Sequence, residues 1–264
     1  MSNPFVMDKK NLEILESHMS NVKWMVAQAG IEFETTPEFI REILPPCFDM
    51  PDKPMGSVAI GKWRGNICGD FDCAIIDFQC KYKGQAGSMM LALYLEADMP
   101  IALGRECWGE AKKLGKCELY PCGKDMFAVV SRGGKRIIEI EAEWDKEYEP
   151  FEETAWGFEI NAEMDGFGKS LIYDPQILTK KFDFKRLVKK EGNGTLKFNG
   201  TELDPLDAIP IVSVGRAFYT EHQTNSYLVA IDVDEDREKY VPYIFAQKYD
   251  NMNLYPIPER VNEF

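Results

Sequence analysis

Two adjacent amines, Lys112 and Lys113, lie in Gly104-Arg105-Glu106-Cys107-Trp108-Gly109-Glu110-Ala111-Lys112-Lys113-Leu114-Gly115, just past the most apolar part of the chain. A lysine attacks a carbonyl only as the neutral amine, so such a nucleophile needs its pKa lowered by burial or by a neighbouring cation. This stretch offers both. Two ammonium groups about 6 Å apart at an effective dielectric near 20 would repel by roughly 2 to 3 kcal/mol, about two pKa units. In an extended segment, however, neighbouring side chains point to opposite faces, so only one of the pair can enter a given pocket. Lys-Lys pairs also occur at Lys9-Lys10, Lys180-Lys181 and Lys189-Lys190, and these read as solvated surface. The frame of glycines, Trp108 and Leu114 sets the second pair apart.

Asp72 and Glu110 are the acid–base candidates near this amine in sequence or in expected strand order. Other motifs are weaker. Asp165-Gly166-Phe167-Gly168-Lys169-Ser170 ends like a phosphate-binding loop, but Glu163 stands where its first glycine belongs. Asn193-Gly194-Thr195 and Asn199-Gly200-Thr201 fit a glycosylation pattern but read as plain turns. The acidic run Asp232, Asp234, Glu235, Asp236 reads as a solvated, helix-capping segment and not as a cation site. Seven cysteines, an odd number without a C-x-x-C pair, read as free and mostly buried thiols. His18 and His222 are the only histidines and neither neighbours the cysteines, so no metal or other cofactor is expected.

The elements that must position these residues read as mostly strands. At 264 residues with 45% hydrophobic side chains, the chain can bury one sizeable core, and a single domain spanning 1–264 is expected, with a helical N-terminal extension over about 1–44. The spacing of Leu12, Leu15, Met19, Val22, Met25 and Val26 predicts one helix from Lys9 to Ala29, ended by Gly30. Thr36-Pro37 starts a short second helix that Pro45-Pro46 stops. Strands are expected at Ser57 to Trp63, Asp70 to Tyr82 and Ser88 to Ala97, with Met99, Ile101 and Leu103 forming another beyond the Glu96-Ala97-Asp98 break. Arg132-Gly133-Gly134-Lys135 joins the clearest hairpin, in which Ile138, Ile140, Ala142 and Trp144 alternate with Glu139, Glu141 and Glu143. A further pair is expected on either side of Asp165 to Gly168. Turns are expected at Asn193-Gly194 and Asn199-Gly200, a strand at Ser226 to Val233, and a last helix capped by Asp234 or Asp236.

A net charge of -13 opposes contact with phosphate backbones, so no nucleic-acid partner is expected. No apolar run approaches the roughly 18 residues of a membrane span, and Met1 to Lys10 lacks the pattern of a secretory leader, so no membrane association and a cytoplasmic location are expected.

Gly104-Arg105-Glu106 followed by Lys112-Lys113-Leu114-Gly115 resembles the hallmark of the acetoacetate decarboxylase family. Tyr94-Leu95, Pro100 to Leu103 and Asp204-Pro205-Leu206 to Ile211 extend the resemblance over most of the chain. It implies a mainly β fold built on a cone-like antiparallel barrel with a flanking sheet and a few helices, and a homo-oligomer. It also implies a Schiff base on Lys112 with Lys113 as its electrostatic or positional neighbour; the family is the standard example of a lysine activated in this way. Glu106 and Arg105 are then expected to shape the motif through an ion pair or hydrogen bonds. The family's arginine and two glutamates, which bind a substrate carboxylate and manage protons, fall in a rough register on Lys23 or Val26, on Ala59, and on Asp72 or Cys73. Ala111 replaces the proline that usually precedes the lysine pair.

The expected activity is therefore a Schiff-base lyase on a small keto acid or aldehyde. Decarboxylation of a β-keto acid is the leading reaction, aldol or dehydratase chemistry the runner-up, and a non-catalytic small-molecule-binding barrel the third reading.

Overall fold

The computed structural model describes residues 5–255. The chain runs α1 (Lys9–Met19), β1 (Val22–Glu34), α2 (Pro37–Ile43), β2 (Met55–Gly65), β3 (Gly69–Tyr82) and β4 (Gln85–Leu95). It continues through α3 (Asp98–Trp108), β5 (Lys112–Leu114), β6 (Lys116–Cys122), β7 (Asp125–Arg132) and β8 (Lys135–Tyr148). β9 (Phe151–Asn161), β10 (Gln176–Phe198), β11 (Ser213–Val233) and α4 (Val241–Lys248) complete it.

The fold is mainly β. Hydrogen-bonded neighbours run β11-β1-β2-β3-β4-β9-β10, and pairing of β10 with β11 closes these seven strands into a barrel. Pairing β10 with β11 covers the edges these two strands would otherwise expose, which is how a long sheet avoids pairing with other chains. The second half of β10 leaves the ring and carries β8, β7 and β6 as a flanking sheet. The core lies between the outer face of the barrel and this sheet: Ile31, Val58, Ile76 and Phe78 face Ala128, Val130 and Ile140. Phe33 contacts Phe78 and Phe198 edge-on, each at 5.7 Å between ring centroids. A fully buried aromatic of this kind contributes about 1.5 to 3 kcal/mol through burial.

One join in the ring positions the chemistry. β4 meets β9 in parallel only at Ser88 and Met89. Where β9 diverges, three-residue β5 fills the same edge of β4, pairing Leu93 with Lys112, Tyr94 with Lys113 and Leu95 with Leu114. Opposed residues share a face, so Lys112 follows Leu93 into the barrel and Lys113 follows Tyr94 out of it.

Several expected elements differ. The first helix stops at Met19, and Val22 to Glu34 is a strand paired on both edges, with β2 and with β11. Val22 and Val26 are four apart, a spacing that fits a helix face and a strand face equally, and two-edge pairing decides it. The segment after Glu96-Ala97-Asp98 is α3 and not a strand. Gly109, at φ 73°, ends this helix in the left-handed conformation that glycine adopts without strain. Lys169 to Tyr173 forms only an isolated bridge, Met164 with Leu171. Asn193-Gly194 makes no turn, because both residues lie inside β10. Gly192 and Gly194 serve close packing instead: a Cβ on Gly192 would stand 1.8 Å from the Glu143 carbonyl oxygen, and one on Gly194 would stand 2.8 Å from Ala217 Cβ. The expected strand Ser226 to Val233 is the end of one longer strand, β11, which starts at Ser213. Among the cysteines, Cys107 and Cys122 are exposed.

Candidate active site

α3, the loop Gly109-Glu110-Ala111 and β5 together fold the hallmark stretch into a hairpin-like bracket. The Glu110 amide donates to the Gly104 carbonyl at 3.0 Å, and the Leu93 amide donates to the Ala111 carbonyl at 3.0 Å. This bracket lays the Lys112 and Glu110 side chains against Gly104. A Cβ on Gly104 would stand 2.2 Å from Glu110 Oε2 and 2.4 Å from Lys112 Nζ, so no other residue fits without displacing the pair. The glycine of Gly104-Arg105-Glu106 is thus the floor of the site.

Lys112 is 6% exposed. Its Nζ donates to the Pro100 carbonyl at 2.9 Å and pairs with Glu110 Oε2 at 2.6 Å. A second buried lysine, Lys180 of β10, lies 3.5 Å from Glu110 Oε1 and 2.5 Å from Glu159 Oε2. Its ammonium also sits 4.0 Å from the centre of the Trp108 ring, a cation–π contact. Two amines and two carboxylates therefore form one buried cluster.

Its charges are strongly coupled. Burial alone would depress Lys112, but the attraction and hydrogen bond of Glu110 outweigh it and hold the amine above its ordinary value. Burial alone would raise Glu110, but Lys112 and Lys180 draw it below the ordinary carboxylate range. Glu159 moves the other way: burial, reinforced by the charge of Glu110 and only partly opposed by Lys180, pushes it up. One carboxylate keeps its charge and the other favours a proton. The resting site thus holds an ammonium on Lys112 with its carboxylate counter-ion 2.6 Å away.

The cluster closes one end of a cavity of about 90 Å³ walled by Trp24, Trp63, Phe71, Cys73, Leu93 and Phe182. Trp63 meets Trp24 edge-on at 5.7 Å and stacks on Phe71 at 6.4 Å. The Cys73 thiol is pushed up to about 12 by burial and stays protonated. Met19, Tyr227 and Leu228 form the outer lip.

The expected residues scatter more than the sequence implied. Glu110 stands in the site with Lys112. Lys113 lies on the opposite face, where Asp250 at 3.2 Å and Asp204 at 3.7 Å neutralise it beside Arg132. It is therefore not the cation next to Lys112, because the period of two turns it away. Asp72 does not line the cavity; Phe71, Cys73 and Ile75 on the same strand do, and alternation sends Asp72 to the other face. Glu106 is exposed on α3, and Arg105 lies over the Tyr249 ring at 5.3 Å. Lys180, read as surface, is buried, and Glu159 joins it from β9. Only the alternation of Lys180, Phe182 and Phe184 hinted that this lysine faces inward.

With this geometry in hand, similarity to known proteins is informative. A family model described as acetoacetate decarboxylase matches residues 16–237. Acetoacetate decarboxylase of Burkholderia ambifaria (strain MC40-6) is 31% identical over 107 residues, 40% of this chain and 44% of the relative. The chain thus spans less than half the length of that curated relative. In structure it is similar to acetoacetate decarboxylase of Legionella pneumophila, with TM-score 0.73 and 18% identity over 89% of this chain and 98% of the other. It is similar too to MppR, an enduracididine biosynthesis enzyme complexed with the condensation product of pyruvate and imidazole 4-carboxaldehyde. There the TM-score is 0.68 and the identity 14%, over 81% and 88% of the two chains.

Proposed function

Because this chain belongs to the acetoacetate decarboxylase family, we propose that it is a lyase that holds a small keto acid as an iminium on Lys112. The observation that carries the reading is the setting of one atom. Lys112 Nζ is buried at the end of an apolar cavity, its charge matched by the Glu110 carboxylate 2.6 Å away.

In the first step the Lys112–Glu110 ion pair opens as the substrate enters, the ammonium gives its proton to water, and the neutral amine adds to the ketone carbon. Loss of water gives the iminium. With a β-keto acid, the bond to the carboxylate carbon then breaks, carbon dioxide leaves, and the electron pair moves through the new double bond to nitrogen as an enamine. Protonation on carbon restores an iminium, and water releases the ketone and the amine. Overall one proton is consumed for each carboxylate lost. The aromatic walls strip water from the substrate carboxylate, and Lys180 stands near as the second buried cation.

A second reading rests on the carboxylate pair. Glu159, held protonated beside ionised Glu110, gives the site both an acid and a base, as aldol or dehydration chemistry through the same enamine requires. Carbon dioxide release from acetoacetate separates the two. Release that is lost in Lys112→Ala supports the decarboxylase. A borohydride-reducible Lys112 adduct with no carbon dioxide release supports the aldol or dehydratase reading. Release unchanged in Lys112→Ala would overturn both.

A further inference from the structure

The wall of the cavity beside Lys112 is mostly aromatic and aliphatic. Among the described residues, the charged side chains on it are Glu110, Lys112 and Lys180. In the proposed reaction Lys112 is committed to the ketone carbon, and the Glu110 carboxylate repels an anion. Lys180 is then the cation that this wall can offer to the acid group of a keto acid.

The fold holds Lys180 in place for such a contact. Alternation along β10 turns Lys180 and Phe182 toward the cavity. In register beside Lys180 stand Leu228, on the cavity lip, and Gly157, so neither flanking strand sets a charge next to it. Its side chain is 8% exposed. An ammonium has three donors. Glu159 Oε2 meets it at 2.5 Å from off the cavity wall, Glu110 Oε1 lies at 3.5 Å, and the Trp108 ring centre lies at 4.0 Å. The contact to Glu110 is the longer of its two ion pairs.

The charges of the cluster do not cancel. Glu159 favours a proton while Glu110 stays ionised, so two ammonium groups share one carboxylate. An uncompensated charge in an apolar cavity is costly, and an entering anion restores the balance. The spacing suits one short acid. Lys112 holds Glu110 Oε2 at 2.6 Å while Lys180 faces Oε1 of the same group, so a single carboxylate lies between the two amines. A β-keto acid carries its carboxylate one methylene beyond its ketone carbon.

Resting on the Lys112 reading for the ketone, we infer that Lys180 docks the substrate's carboxylate and makes the site select keto acids over uncharged ketones of the same shape. The entering carboxylate takes over the place of Glu110 Oε1 on Lys180, and Glu159 stays behind the amine as its fixed partner. Trp108 holds the ammonium from the side, through its ring face.

The test uses 3-hydroxybutyrate and 3-hydroxybutyramide, which match in shape, differ in charge, and neither condense with an amine nor lose carbon dioxide. Trp24, Trp63 and Trp108 line the cavity, so dissociation constants are read from tryptophan fluorescence at neutral pH. In the unmodified protein the acid should bind about ten- to hundredfold tighter than the amide, the worth of one hydrogen bond to a charged group. In Lys180→Met and in Lys180→Gln, with folding verified by circular dichroism, that ratio should fall below about threefold while the amide binds within about threefold of its original affinity. A purely structural role for Lys180 would weaken both ligands alike. An unchanged ratio in the variants, or equal affinities in the unmodified protein, would overturn the inference. Failure of borohydride to trap acetoacetate on Lys112 would instead count against the proposed function, with the acid-to-amide ratio still deciding the role of Lys180.

Discussion

Replacing Glu110 by glutamine should move the pH dependence of Lys112 downward. In the resting protein, burial lowers the lysine while Glu110 raises it, and Glu110 prevails. At 2.6 Å and an effective dielectric near 20 the attraction is about 6 kcal/mol. Two responses offset part of it. Glu159, no longer facing an ionised neighbour, gives up its proton more readily, and water enters beside the amide. Lys180 works in the opposite direction, since its charge is then less compensated and repels the Lys112 ammonium. Cys73 stays neutral throughout. A net fall in the Lys112 pKa is expected. The assay is the rate of reductive trapping of acetone on Lys112 with cyanoborohydride as a function of pH, with circular dichroism to verify folding. The unmodified protein should show a limb that rises only above the ordinary lysine range. The variant's limb should lie at lower pH than that of the unmodified protein. A limb that stays in place or moves up would refute the assignment of Glu110 as the group that holds Lys112 protonated.

Gly104→Ala should abolish trapping and lower stability by about 1 to 3 kcal/mol in urea unfolding, because its methyl overlaps both Glu110 Oε2 and Lys112 Nζ. Lys113→Met should keep trapping on Lys112 within about threefold while costing about 1 to 3 kcal/mol, since Asp250 and Asp204 lose a buried cation and keep only Arg132. Glu159→Gln should remove the group that favours a proton at neutral pH; protonation of the enamine then slows by about tenfold or more, seen as slower deuterium exchange into a bound ketone, while trapping persists.

The proposed nucleophile was legible in the sequence because its frame is local: Gly104, Gly109 and Glu110 lie within eight residues of Lys112 and fold as one bracket. The opposed orientation of the two lysines was legible too, from strand geometry alone, although the resemblance suggested a cooperating pair. Lys180 and Glu159 were not legible, since strand pairing brings them from β10 and β9 and each looks locally like an ordinary surface charge. The barrel strands β2, β3 and β4 announced themselves through turns and apolar runs. β1 did not, because Ala29, Gly30 and Ile31 are buried in succession, with the Phe218 ring against Gly30, and this erases the alternation a strand usually shows. Asn193-Gly194 misled for a related reason: the dipeptide that suits a turn also suits a crowded strand, where Gly192 and Gly194 admit the backbone of β8 and the side chain of Ala217.

Borohydride reduction in the presence of acetoacetate, followed by peptide mapping of every lysine, tests the central claim most directly. The expected result is a single stable adduct on Lys112 that is absent in Lys112→Ala. An adduct on Lys180, which shares the cluster, or no adduct on any lysine would contradict the account.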